Sequence, residues 1–190
     1  MPSPLDGAKN MTARFEVLAG LPPYGPLPLQ FSATGQGTHR EGYVVRFRPE
    51  SSESWVGNFQ PGVGTLEGVF QHPDGTHLFV IAAGAAYVID PDTRVLSSHF
   101  GFNLCEAIEV PELHELVFTN GLWFEGFAAQ FTWRSRRVSW DGVRSLQRTG
   151  TILQGEAYTP LGDFWRPFSL DLATGRCQGG AYLEHPEGAV

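Results

Sequence analysis

Hydrophobic positions along this chain come in short runs separated by turn formers. The stretch from Phe70 to Leu96 shows the pattern best. A turn signal at Pro73, Asp74 and Gly75 precedes the apolar run Leu78, Phe79, Val80 and Ile81. Small residues Ala82, Ala83 and Gly84 follow, then Tyr87, Val88 and Ile89, and a second turn at Asp90, Pro91 and Asp92. Each run is too short and too β-branched for a helix, so the pattern predicts two strands hinged on small residues. Gly42 to Phe47 reads as an edge-like strand, and Trp55 to Phe59 as its hairpin return after a turn at 49–54. Before them, Pro22, Pro23, Pro26 and Pro28 exclude helix and interior strand, which predicts an extended surface strap anchored by Tyr24 and the neighbouring leucines. Residues 1–12 read as a disordered leader and 13–190 as a single all-β domain.

The pattern repeats. An offset of 38 lays Pro111 on Pro73 and Leu116 on Leu78, and brings Asn120 and Gly121 close to Gly84. Asp171 with Thr174 repeats Asp90 with Thr93 at a separation of 81. Turns thus recur about every 40 residues, which predicts a meander of short antiparallel hairpins. Two arrangements fit that meander: a small propeller-like one, and a β-sandwich or strongly bent sheet. Residues 70–96 resemble generic bacterial β-propeller repeats in their cadence of PDG, strand, small residues, strand and DPDT. The runs EGYVVRF, SWVGNFQPG, HPDGTHLFVIAAGAAYVID and WRPFSLDLATG, with GGAY near the end, resemble a group of small uncharacterised bacterial proteins over residues 27–183. That second resemblance implies a bacterial source and no particular activity.

Composition narrows the function classes. Fourteen Phe, 5 Trp and 5 Tyr in 190 residues supply enough large side-chain area for a core without metals or disulfides, and 23 Gly with 14 Pro suit many tight turns. A net charge of −7 argues against a general nucleic-acid binder. No run is long and apolar enough for a membrane helix, and no leader has secretory character, so the expected location is the cytoplasm. Cys105 and Cys177, far apart and without metal-type spacing, read as two reduced, buried thiols.

Several clusters invite chemistry. His72, Asp74 and His77 share one turn, but at neither strand nor helix ligand spacing, so a solvated turn is the reading and no metal is expected. Asp90 and Asp171 read as acceptors of backbone N–H in Asx-type turns. Glu106, Glu109, Glu112 and Glu115, interrupted by Pro111, read as an acidic sheet edge. Rings and amides at turns, with Trp55 near Asn58 and with Tyr158, Phe164 and Trp165 near Gly155, are residue types that carbohydrate-binding surfaces use.

Residues 133–148 stand out by charge. They hold five of the 13 basic residues and one acid, a local +4 in an acidic chain. Arg134 and Arg136 alternate about Ser135, so on a strand both would face one way, as an arginine pair beside Trp140, with Trp133, Ser135 and Arg137 on the opposite face. Such a group suits a carboxylate or phosphate and a stacking partner. Alternatively, these arginines pair with acids of neighbouring strands.

Neither a G-x-S-x-G elbow, a phosphate-binding loop nor a dinucleotide fingerprint is present, and no cofactor is implied. The reading is a non-enzymatic binding or interaction module, contacting an unknown protein or a small anionic ligand through Arg134, Arg136, Arg137 and Trp140. Its alternatives are an enzyme acting on a sugar or small anionic substrate through Asp90, Asp141 or Asp163, and a carbohydrate- or ligand-sensing domain.

Overall fold

The computed structural model describes residues 14–33, 40–49 and 52–182. It is all-β, with four four-stranded sheets that follow one another along the chain. The first contains β1 (Phe15–Leu18), β2 (Leu29–Phe31), β3 (Tyr43–Phe47) and β4 (Trp55–Phe59), in spatial order β1-β3-β4-β2. The other three are plain antiparallel meanders. These are β5 (Gly68–Gln71), β6 (Leu78–Ala82), β7 (Ala85–Asp90) and β8 (Val95–Phe100); then β9 (Glu106–Val110), β10 (Glu115–Thr119), β11 (Phe124–Phe127) and β12 (Phe131–Arg134); then β13 (Val143–Thr149), β14 (Ile152–Thr159), β15 (Phe164–Asp171) and β16 (Arg176–Gly179).

Strand periodicity decides how the sheets stack. On β6 and β7, Leu78, Val80, Tyr87 and Ile89 point one way, into a core with Val45, Phe47, Trp55 and Phe59 of the first sheet. Phe79, Ile81, Ala86 and Val88 point the other way and meet Leu116, Phe118 and Phe127 of the third. Val110, Val117 and Phe124 on the far side of the third sheet pack on Leu153, Ala157, Phe168 and Leu170 of the fourth. The second and third sheets are therefore covered on both faces. Their central strands read as continuous apolar runs because neither face meets water. Each ring or branched chain so buried contributes roughly 2–3 kcal/mol. Among the described residues, no hydrophobic cluster joins the first sheet to the fourth.

The inner hairpin turns organise the connections. Ala83 (φ 42) and Gly84 (φ 81) form the tight turn between β6 and β7. The incoming linker bonds to it through Gly62 N to Ala82 O, Gly64 N to Ala83 O and Gly84 N to Leu66 O, and the outgoing one through Leu104 N to Gly84 O. The third sheet repeats this arrangement. Cys105 N donates to Thr119 O on one side of its inner turn, and Val138 N to Leu122 O on the other.

Four expectations are corrected. Strand β3 is interior, because β1 pairs with its free side. The proline-rich strap runs beside the first sheet, but Tyr24 and Leu27 are 89% and 93% exposed and are not buried as anchors. Fixed φ angles at four prolines hold the strap off the sheet, leaving a gap of about 100 Å³ lined by Pro22, Arg46, Trp55 and Val56. Cys105 and Cys177 are both unpaired thiols, but Cys105 is exposed, since it lies in a linker entering the edge strand β9. Arg134 closes β12, and Arg136 lies beyond the strand, so the two do not alternate on one face. Buried Ser135 ends the strand by accepting Phe124 N and donating to Arg136 O. The leader at 1–12 lies outside the described residues.

Candidate functional site

The five arginines of 133–148 divide by partner. Arg134 donates from Nε to Glu125 Oε1 at 2.6 Å, across the β11–β12 register, and its guanidinium lies 5.4 Å from the Trp123 ring. Arg144, on β13, donates to Glu156 on β14 at 2.9 Å, and Arg148 reaches both oxygens of Glu112 at 3.0 and 2.9 Å. These three follow the reading in which arginines pair with neighbouring acids. The other two bind backbone carbonyls. Arg136 donates to Arg137 O, Cys177 O, Gly179 O and Tyr182 O, fastening the linker between the third and fourth sheets to β16 and the residues just after it. Arg137 donates to Ser139 O and Trp140 O, both at 2.9 Å.

Two arginine–aromatic clusters result. The Arg137 guanidinium lies 4.7 Å from the Tyr182 ring and 5.4 Å from Trp140, and those rings meet at 4.7 Å. On the fourth sheet Arg144 lies 4.1 Å over Trp165, which packs on Tyr158 at 5.2 Å. Both placements put a cation against the negative face of a ring. Ser139 joins the clusters: its Oγ accepts Tyr158 N at 3.1 Å and donates to Gly142 O. Trp140 N also donates to Tyr158 O. Thus Arg137, which strand alternation sets on the face away from the pair, is the arginine that meets Trp140, while Arg134 and Arg136 take up structural partners. Tyr182, Tyr158 and Trp165 are the additions. Their separation along the chain hid them, although the GGAY and Tyr158-to-Trp165 segments carried the aromatic signal.

The acids take turn and ring roles. Asp90 Oδ1 accepts the N–H of Asp92 and Thr93, as the Asx reading expects, and Asp171 Oδ1 accepts that of Ala173. Asp163 accepts the Tyr158 hydroxyl at 2.8 Å. That bond, then burial and the charges of Asp163 and Asp141, push the phenol up. Asp74 is the best satisfied of all. Its Oδ1 accepts Thr76 N, His77 N and Thr76 Oγ1, and its Oδ2 lies 2.7 Å from His77 Nδ1 and 3.1 Å from His72 Nδ1. Burial opposes its charge, but the bonds from His77 and Thr76 outweigh burial and hold the carboxyl well below the usual range. Burial also pushes His72 down, against the raising effect of Asp74.

No protein-family model matches the sequence, and no curated protein does. Among solved structures, Kuenenia stuttgartiensis Hydrazine Synthase aligns over 64% of this chain at 14% identity, with a TM-score of 0.31. This chain spans half of that one, and an overlay so loose carries no argument.

Among the described residues, no three His, Cys, Asp or Glu side chains are grouped to hold a metal ion. Among the described residues, no helix is long and apolar enough to cross a membrane. Glu106 and Glu109 on the edge strand β9 are exposed, as the acidic-edge reading expects, whereas Glu115 opens the interior strand β10 and is half-buried.

Proposed function

We propose that this chain is a non-enzymatic binding module, and that its contact surface is the arginine–aromatic surface made by residues 137–144 with Tyr158, Trp165 and Tyr182. One observation carries the reading. Arg137 lies against two rings and, among the described residues, is bonded to carbonyls rather than to a carboxylate, beside a Trp140 that is 38% exposed. A rigid cation with its fork fixed, next to an exposed indole, fits a partner carboxylate or phosphate that accompanies an apolar group. The partner is a protein or a small anionic ligand. The sheets, stacked face to face in chain order, are read as propeller-type blades, and the two free thiols fit a reducing cytoplasm.

The test uses two variants, Arg137→Glu and Trp140→Ala, each checked for folding by circular dichroism. A protein captured from host lysate by the wild type and lost from both folded variants supports the reading. So does a thermal shift with citrate or phosphate that both variants abolish. Identical capture by all three proteins, with no anion-dependent shift, removes it.

A second reading, an enzyme acting on a sugar, has one observation in its favour: the Asp163 carboxylate accepts the Tyr158 hydroxyl at 2.8 Å on an exposed surface. Hydrolysis of nitrophenyl glycosides by the wild type, lost in Asp163→Asn, would favour it. Against sugar stacking on Trp165 stands Arg144, already lying over that ring.

A further inference from the structure

A second site lies away from the arginine surface, in the cleft between the second and third sheets at the His72–His77 turn. We infer that this cleft binds a neutral polyhydroxyl ligand of monosaccharide size, with Phe131 as the stacking face and the His77 imidazole edge, Ser97, Ser98 and Gln130 as hydrogen-bonding groups. The cleft has a volume of about 290 Å³.

Two irregularities in the sheets build it, one from each side. Pairing of β7 with β8 slips between Val88 and Ile89, which face Ser98 and Leu96, so Ser97 is an extra residue and both serines border the cleft. Pairing of β11 with β12 slips where Phe127 meets Phe131, leaving Thr132 extra and placing Gln130 and Phe131 on the opposite wall. A bulge re-aims side chains that a regular ladder would alternate, and bulges are over-represented next to binding sites. Phe131 is 54% exposed, yet it is held edge-on by Phe127 at 5.5 Å, and Phe127 stacks on Phe100 at 4.3 Å. The exposed ring is thus a firm platform on a buried aromatic stack.

The lining chemistry selects the ligand class. Among the described residues it contains no Lys or Arg, so an anion finds no fixed counter-charge there. Among the described residues its one carboxylate is Asp74, whose Oδ1 accepts three turn donors and whose Oδ2 is taken by His77 Nδ1, so a cation finds no free acceptor charge. Anchoring Nδ1 of His77 on Asp74 fixes the ring and leaves Nε2 as its remaining polar edge. Two hydroxyls, one amide and one imidazole edge around an exposed ring offer neutral donors and acceptors over an apolar face. That combination matches a sugar ring, which has hydroxyls on its rim and C–H groups on its faces.

The experiment uses the full chain with glucose, galactose, mannose, xylose and N-acetylglucosamine as probes, read by saturation-transfer NMR and isothermal titration. At least one sugar should bind, and Phe131→Ala and His77→Ala should each weaken it about tenfold, near the loss of one stacked or hydrogen-bonded contact. Arg137→Glu should leave that affinity unchanged, which separates this site from the proposed contact surface. Absence of saturation transfer to every sugar overturns the inference. Binding that survives both cleft substitutions, or citrate binding that both abolish, overturns it as well.

Discussion

Glu125 is 7% exposed, and its carboxylate meets Arg134 across the β11–β12 pair. Removing the arginine leaves a desolvated carboxylate without its main donor, whereas the guanidinium itself is more than half exposed and loses little. Arg134→Ala should therefore lower stability by about 2 kcal/mol in chemical denaturation. Glu125→Gln, which keeps an acceptor and removes the buried charge, should cost less. The His72–Asp74 pair sets a pH dependence. Asp74 titrates lower in the fold than in the unfolded chain, so its contribution is complete above the unfolded value near 4 and is lost as pH falls toward the folded value. His72 is also pushed down, so below about 6.5 the unfolded chain takes up protons that the fold refuses, and stability again falls with pH. Melting temperature should thus decline in two steps on acidification. Asp74→Asn should lower the melting temperature at pH 7 and flatten the step below pH 4.

At the scale of turns and hairpins, much of the fold is legible in the sequence. The 38-residue offset is real in space to within one residue, since Gly84 (φ 81) and Gly121 (φ 82) occupy the inner turns of successive sheets. The Asp90 and Asp171 turns are equivalent too, each closing the hairpin to the outer strand of its sheet. Four residues after each aspartate the backbone is left-handed, at Arg94 (φ 63) and Gly175 (φ 70). The second turn has the residue that conformation favours and the first does not. Arg94→Gly should accordingly raise stability by up to about 1 kcal/mol, since all the side chain gives up is a long 3.4 Å bond to Glu53 O. Gly84 is the opposite case. A Cβ there would come within 2.6 Å of Leu104 N and 2.7 Å of Gly64 Cα, where the two linkers cross the turn. Gly84→Ala should cost more than about 2 kcal/mol and show as a lowered denaturation midpoint. The candidate sites were less legible because their residues meet through bulges and linkers. Strand alternation places Arg134 and Arg136 on one face only if the strand continues, and the Ser135 hydrogen bonds end it. Likewise, nothing in the order of Ser97 and Ser98 announces that one is an extra residue.

For the molecule as a whole, burial on two faces or one separates the sheets more sharply than their strand counts. The second and third sheets share a cluster in which Phe79, Phe100, Phe118 and Phe127 meet at ring distances of 4.3 to 5.9 Å, and each also packs on an outer neighbour. The outward side of the fourth sheet carries Ile152 at 39% exposure and the Arg144–Glu156 pair over Trp165. A row of sheets in which each contacts its chain neighbours behaves as a linear array, whose stability is a sum of unit and interface contributions. The middle units contribute to two interfaces and the end units to one. Amide exchange should therefore be slowest in β6, β7 and β10, where opening breaks two cores. It should be faster in β13 and β16, which open with a single core. Phe118→Ala cuts the middle interface and should cost about 3–5 kcal/mol. In a linear array that loss should speed exchange in the second and third sheets while leaving the fourth, held by its own core with Val110, Val117 and Phe124, close to its original rate. A uniform acceleration across all four sheets would instead require them to unfold as one unit, with the first and fourth coupled by contacts beyond the three cores.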